Sequence, residues 1–298
     1  LVSLSRAYLL AGNYSECKRT IQNALDISDL IDNDFVEEYI RLIRAKACVH
    51  QGELDQAYQD ASFALASGTK NNRIHSIVQA HNILGDIFFI LQQPSLALQH
   101  YRIAQIREGI PTHSLEGIEN NLSLARILAW MRHLDEAKRI IHNTLEITEE
   151  KEMQALHTQA LIISGYCDLF GEDLTTALLK VNQASEDAAR LELNHEIVWC
   201  KKVKARLALS GKDLQAAEKL IIEVLNESHQ HNFRWIFLNA WALYSELMEM
   251  KDQTTIPDRH RLIFEEVFSH LEEHTQIDAL RGYLDEARKI WTKGLPFP

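Results

Sequence analysis

Helix-breaking residues are scarce in this chain. It has five prolines and eleven glycines among 298 residues, too few for a β-rich or loop-rich fold. Cysteine is scarce too: Cys17, Cys48, Cys167 and Cys200 are the complete set, with no C-x-x-C spacing. That excludes a disulfide framework and a thiolate cluster, and leaves buried free thiols of a reducing, cytoplasmic protein as the expectation. Long apolar runs are missing. The longest, Ile83 to Leu91, is interrupted by Gly85 and Asp86 and falls far short of the roughly 20 residues that cross a bilayer. The opening Leu1-Val2-Ser3-Leu4 has neither the charged start nor the cleavage site of a signal peptide. Because it begins inside a helical pattern, we expect a piece of a longer protein. Basic residues are in deficit, 31 against 42 acidic, giving a formal net charge of −11. This disfavours direct nucleic-acid binding and favours solubility.

Catalytic and metal signatures are equally sparse. The phosphate-cradling G-x-x-x-x-G-K-[ST], the G-x-S-x-G elbow and H-E-x-x-H do not occur. His195 has Glu196 beside it but no second histidine in register, and His229 and His231 diverge on a helix. His270 and His274, with Glu273 between them, have ligand spacing on one helix face. A solvated face of an amphipathic helix accounts for them more simply. The sequons at Asn13, Asn121 and Asn226 read as chance matches. Expected, therefore, are no cofactor, no metal and no catalysis.

What the chain has in abundance is repetition. Cys17, Ala57, Ala97, Ala137, Ala177 and Ala217 fall forty residues apart without a slip. Three before each anchor stand Tyr14, Leu54, Pro94, Leu134, Leu174 and Leu214. Four after it stand Ile21, Ala61, Tyr101, Ile141, Val181 and Ile221, and seven after it Ala24, Ala64, Ala104, Thr144, Ala184 and Val224. Offsets of three, four and seven share one helix face, so each unit contains a helix with a fixed buried stripe. Twelve before the anchor come Ser5, Ala45, Gly85, Ala125, Gly165 and Ala205, all small. This is a stripe on a preceding helix where a neighbour must come close. Glycine at four of the six intervening turns, Gly12, Gly52, Gly171 and Gly211, predicts a left-handed residue ending that first helix.

This arrangement resembles the tetratricopeptide repeat, and Ile83-Leu84-Gly85-Asp86-Ile87-Phe88 with Leu96-Ala97, Tyr101 and Ala104 is the best match. The resemblance covers roughly residues 1–230. It departs in a period of forty rather than about 34, and in lacking the proline that closes the repeat. It implies an all-α, right-handed superhelical solenoid of antiparallel helix pairs, six to seven repeats long. The longer period is similar to arrays in bacterial signalling proteins, including the sensor domains of maltose-regulator-like transcriptional ATPases. We expect a repeat array over 1–250 and C-terminal capping helices with a tail over 251–298. The period fails at Pro257. Phe233 to Tyr244 reads as a seventh first helix. Lys251 to Pro257 reads as a linker, with Asp258 capping the next helix. That helix has an apolar face of Leu262, Ile263, Val267, Phe268 and Leu271, and a last one spans about Ile277 to Trp291.

In proteins of this kind the first helices line the concave groove. One row there, eleven before the anchor, reads Arg6, Lys46, Asp86, Arg126, Tyr166 and Arg206: a basic spine in an acidic chain. Asn82 and Lys202 belong to the row fifteen before, Tyr39 and Trp199 to the row eighteen before. Arginine forks and rigid aromatics suit an extended acidic peptide or a free carboxylate. The candidate partner-binding residues are thus Arg6, Lys46, Asn82, Arg126, Tyr166, Trp199, Lys202 and Arg206, densest from Arg126 to Arg206. The bland alternative is pairing with acids on neighbouring helices. The carboxylate clamp of chaperone-binding tetratricopeptide domains is not reproduced, since Asn82 stands alone in an aliphatic row. A protein or peptide interaction module of a signalling protein predicts an open groove. A small-effector sensor of the maltose-regulator type predicts a deep enclosed pocket in repeats four to six. Self-association through the terminal helices is the remaining partner expectation.

Overall fold

A computed structural model describes residues 1–28, 34–105, 113–252 and 256–292. The tail Gly294–Pro298 and residues 253–255 of the expected linker lie outside them. The described residues form helices and no strands: α1 (Val2–Leu10), α2 (Tyr14–Ser28), α3 (Asp34–Gln51), α4 (Leu54–Lys70), α5 (Ile74–Ile90), α6 (Pro94–Gln105), α7 (Leu115–Trp130), α8 (Leu134–Glu150), α9 (Gln154–Phe170), α10 (Leu174–Arg190), α11 (Asn194–Ser210), α12 (Leu214–Gln230), α13 (Arg234–Met250), α14 (Asp258–Glu273) and α15 (Asp278–Thr292). Successive helices pack antiparallel. Odd-numbered helices from α1 to α13 also touch the next odd-numbered helix. The first helix of each pair therefore forms the inner layer of an α-α superhelix, and the second forms the outer layer.

The forty-residue period is two 17-residue helices and two three-residue turns. From α8 to α13 every helix has 17 residues, and three-residue turns join α7 through α13. The left-handed residues that follow α7 to α13 are Arg132, Glu152, Glu172, Glu192, Lys212, Asn232 and Asp252, with φ between 53° and 65°. The same geometry recurs at Gly12, Gly52, Asn72 and Gln92. Each of these turns between two described helices, up to that at Asn232, closes with an N–H reaching back five residues, as from Asp213 to the carbonyl of Ala208 and from Asp173 to that of Asp168, a Schellman closure. Gly171 and Gly211 do not take the left-handed place expected of them. They sit one residue earlier with ordinary helical angles, and Glu172 and Lys212 carry the strain. A non-glycine residue there costs about 1–2 kcal/mol. Lys212→Gly is therefore expected to raise stability by about 0.5–1 kcal/mol, read from the urea midpoint. An unchanged midpoint would show that the turn is not strained.

The anchor residues Cys17, Ala57, Ala97, Ala137, Ala177 and Ala217 have no exposed surface. The small stripe explains how the two layers approach. A Cβ on Gly85 would lie 2.4 Å from the ring of Tyr101, and one on Gly165 would lie 2.6 Å from Val181. Tyr101 and Val181 are both fully buried and both stand four after the anchor. Large outer residues thus face small inner ones within each pair. All four cysteines are buried, and burial pushes the Cys17 thiol up to about 11. They are inert packing residues.

The superhelix curls until its two ends meet. The Asp55 carboxylate accepts hydrogen bonds from the backbone N–H groups of Gln276 (2.6 Å) and Ile277 (3.0 Å). The Asp55 N–H donates to the carbonyl of His274 at 2.8 Å, and Arg234 donates to the carbonyl of Gln51 at 2.9 Å. Leu271 lies on Gly52, and Tyr283 meets Phe88 edge-on at 5.9 Å. Helices α13, α14 and α15 therefore clasp the turns of the second and third helix pairs. On α14 the buried face is Phe264, Val267, Phe268 and Leu271, whereas Leu262 is 70% exposed. Asp258 opens the helix without capping it, since the cap position is Pro257. His270 and His274 are not solvated as expected: they are half-buried with rings stacked 4.0 Å apart, and burial holds His270 down at about 4. Among the described residues no three His, Cys, Asp or Glu side chains gather as metal ligands, and no helix is long and apolar enough to cross a membrane.

Candidate functional site

The curl encloses a cleft lined by the inner layer. Its wide outer end, a cavity of about 280 Å³, lies among Arg6, Leu9, Tyr39, Lys46, Glu119 and Leu156. Its middle, about 160 Å³, runs past His50, Asn82, Ser123, Gln159 and Glu196. Its inner end narrows to about 40 Å³ between Phe89, Arg126, Tyr166, Phe170, Lys202 and Trp235. The outer and middle parts share Lys46 and Glu119, and the middle and inner parts share His50, Arg126, His195 and Trp199. One passage therefore leads from an open mouth to a tight aromatic end.

Arg6, Lys46 and Arg126 of the basic row line this passage, but acids offset most of the row. Lys46 pairs with Glu119 at 2.7 Å and Arg126 with Asp86 at 2.7 Å. Arg206 bonds Glu246, and Arg6 donates to the Tyr39 hydroxyl at 3.1 Å. Two of these pairs, Asp86–Arg126 and Arg206–Glu246, join equivalent positions of successive repeats. In place of the expected cationic spine stands a ladder of ion pairs, the alternative of pairing with acids on neighbouring helices. Arg6 and Lys46 stand at the mouth, and Lys46 also lines the middle of the cleft with Asn82, Arg126 and Trp199. Asn82 is buried in the wall, where its carbonyl accepts from Asn120 at 2.7 Å. Its amide nitrogen is buried with no partner. Arg206 is turned out of the inner end toward Glu246.

The remaining candidates do converge. Lys202 lies over the Tyr166 ring at 5.4 Å, Tyr166 packs against Trp199 at 6.4 Å, and the Arg126 guanidinium covers Phe89 at 4.5 Å. Lys202 is 5% exposed. Burial, then the charges of Arg126 and Arg206, bring its ammonium down to about 7. Burial likewise pushes the Tyr166 phenol up, so it remains a neutral donor. Both the Tyr166 hydroxyl and the Arg126 Nε are buried without a hydrogen-bond partner. The cleft therefore ends among buried donors without acceptors, set between aromatic rings.

Sequence reasoning missed the residues that curl brings together across the array. His50 of α3 meets His195 of α11 at 4.7 Å between ring centres, and Tyr14 meets Phe233 at 5.6 Å. Burial, then neighbouring His195, Arg126 and Lys46, hold His50 well below its ordinary value and neutral. Phe89, Phe170 and Trp235 were legible as apolar positions, yet nothing in the period says that they share one cavity.

The chain matches no protein-family model and no curated protein. Its fold is nevertheless shared with solved structures. A Rap protein complexed with competence and sporulation factor superposes with a TM-score of 0.66 at 15% identity, covering 96% of this chain and 78% of that one. The apo form of RapI gives 0.53 at 10% identity, covering 96% and 79%. Both likenesses extend over nearly the whole of this chain. Its fold is a tetratricopeptide-type helical repeat.

Proposed function

We propose that this chain is a non-catalytic, cytoplasmic peptide-binding module of a signalling or regulatory protein. An extended peptide would occupy the cleft inside the superhelix. The observation that carries this reading is the single passage running from mouth to inner end along the inner helices. Its middle holds buried polar atoms of both kinds without partners, the donor Asn82 Nδ2 and the acceptor Glu196 Oε2. A peptide backbone offers a C=O and an N–H at each residue and would satisfy both. The Rap protein that shares the fold was solved in complex with competence and sporulation factor, which supports a ligand of this class. A whole small effector seated in the inner end, the alternative, is disfavoured by size: that end has about 40 Å³, room for roughly three water-sized atoms.

Ser123 lines the middle of the cleft and is half-buried. Ser123→Trp is expected to fill the passage without disturbing the core. Random decapeptides displayed with free C-termini should be enriched by the parent chain. The enriched peptides should bind the variant at least tenfold more weakly at an unchanged melting temperature. Equal binding to both proteins would place the peptide outside the cleft and overturn the reading.

A further inference from the structure

We propose that the inner end of the cleft is a carboxylate-binding site, built to seat the terminal carboxylate of the occupant on Lys202, Arg126 and Tyr166. The proposal rests on the reading of the cleft as a peptide site and names the end group that enters first.

Three donor residues on three different helices line the same small space. Tyr166 of α9 is 4% exposed, and its hydroxyl has no partner; the buried Nε of Arg126 on α7 has none either. Lys202 of α11 lies over the Tyr166 ring. All three line the same cavity. The Arg126 fork is divided. Its Nη2 serves Asp86 at 2.7 Å and reaches the Tyr101 hydroxyl at 3.5 Å, while its Nε–H has no acceptor and is available to a ligand oxygen. The volume suits a group of three heavy atoms, such as CO₂⁻, better than a phosphate with its larger tetrahedral shell. The walls argue for what bears that group. Phe89, Phe170, Trp199 and Trp235 surround the donors, so the carboxylate must be attached to an apolar or aromatic residue. Burying anionic oxygens here is favourable because each meets a fixed donor in a site from which water is displaced. No carboxylate of the protein is among the residues lining this inner cavity. Asp86 and Glu196 line the middle of the cleft instead.

The test uses the intact chain and two kinds of probe. The small probes are 3-phenylpropanoate and its neutral amide. The large probes are one cleft-binding peptide made with a free C-terminus and with a C-terminal amide. By titration calorimetry, the acid form of each pair should bind at least tenfold more tightly than the amide. Lys202→Met should abolish that preference while leaving amide affinity within twofold. Tyr166→Phe, a milder change, should reduce it three- to tenfold. An acid preference seen with phenylpropanoate while no peptide binds in either form supports the site with a free acid as occupant and sinks the peptide reading. Peptides that bind as acid and amide alike overturn the carboxylate site and leave the peptide reading intact. Failure of both acids to bind, or an equal loss of acid and amide affinity in Lys202→Met, also overturns it.

Discussion

Gly85→Ala should destabilise the protein by about 3 kcal/mol, although it replaces glycine with the best helix former in the middle of a helix, a change ordinarily worth about 1 kcal/mol in its favour. The new Cβ would stand 2.4 Å from the Tyr101 ring. That ring cannot retreat: it has no exposed surface, and its hydroxyl donates to Asp86 at 2.7 Å. The other repeats show what would relieve the clash. Where the small position is Ala125 or Ala205, the residue opposite is Ile141 or Ile221. Gly85→Ala combined with Tyr101→Ile should therefore recover much of what Gly85→Ala loses alone. The coupling energy in a double-mutant cycle should exceed 1 kcal/mol and favour the pair. Chemical denaturation of the four proteins measures it. Independent, additive effects would mean that the inner and outer layers are not in contact at this point.

The second large effect concerns the clasp. Gly52 holds φ at +72°, and a Cβ there would lie 2.8 Å from Leu271, so Gly52→Val adds backbone strain of about 1–3 kcal/mol to a clash. Asp55→Ala leaves the N–H groups of Gln276 and Ile277 without their acceptor. The double variant should keep its helical circular dichroism and lose its closure. A chain of this length folded into a compact body has a radius of gyration near 19 Å by size scaling. Small-angle scattering should show the variant several ångströms larger than the parent. Peptide affinity should fall in parallel, because α3 and α11 would no longer bring His50 and His195 across the cleft. Unchanged scattering in the double variant would show that the ends do not hold each other.

Much of this was legible because it is local and periodic. The anchors, the small stripe and the residues four and seven beyond each anchor are fixed by contacts inside one helix pair, and those contacts repeat. The turn residues were read one place wrong at Gly171 and Gly211, because glycine is the commonest left-handed residue but Glu172 and Lys212 tolerate the same φ when five-residue back-bonding holds them. Leu262 was placed on the buried face of α14 in place of Phe264, a helical register that only the contact with α13 decides. The candidate cluster was found by laying rows in register, and Arg126, Tyr166, Trp199 and Lys202 do meet. Their counter-charges were not found. Glu119 and Glu246 answer Lys46 and Arg206 from other helices of the inner layer, and which side chains of neighbouring inner helices meet is decided by how the repeats pack. The meeting of α3 with α11 and α13 depends on a small rotation per repeat, accumulated over five repeats, which no single repeat encodes.

Closure also sets how many repeats the protein must have. An open solenoid gains or loses units at little cost, since each unit touches only its neighbours. Here Asp55 must find Gln276 and Ile277. One more forty-residue unit would carry the last helices about 8–10 Å onward, one helix diameter per layer, and the carboxylate would meet nothing. Duplication or deletion of a repeat, the ordinary way such arrays change length, would in this chain produce an unlatched molecule.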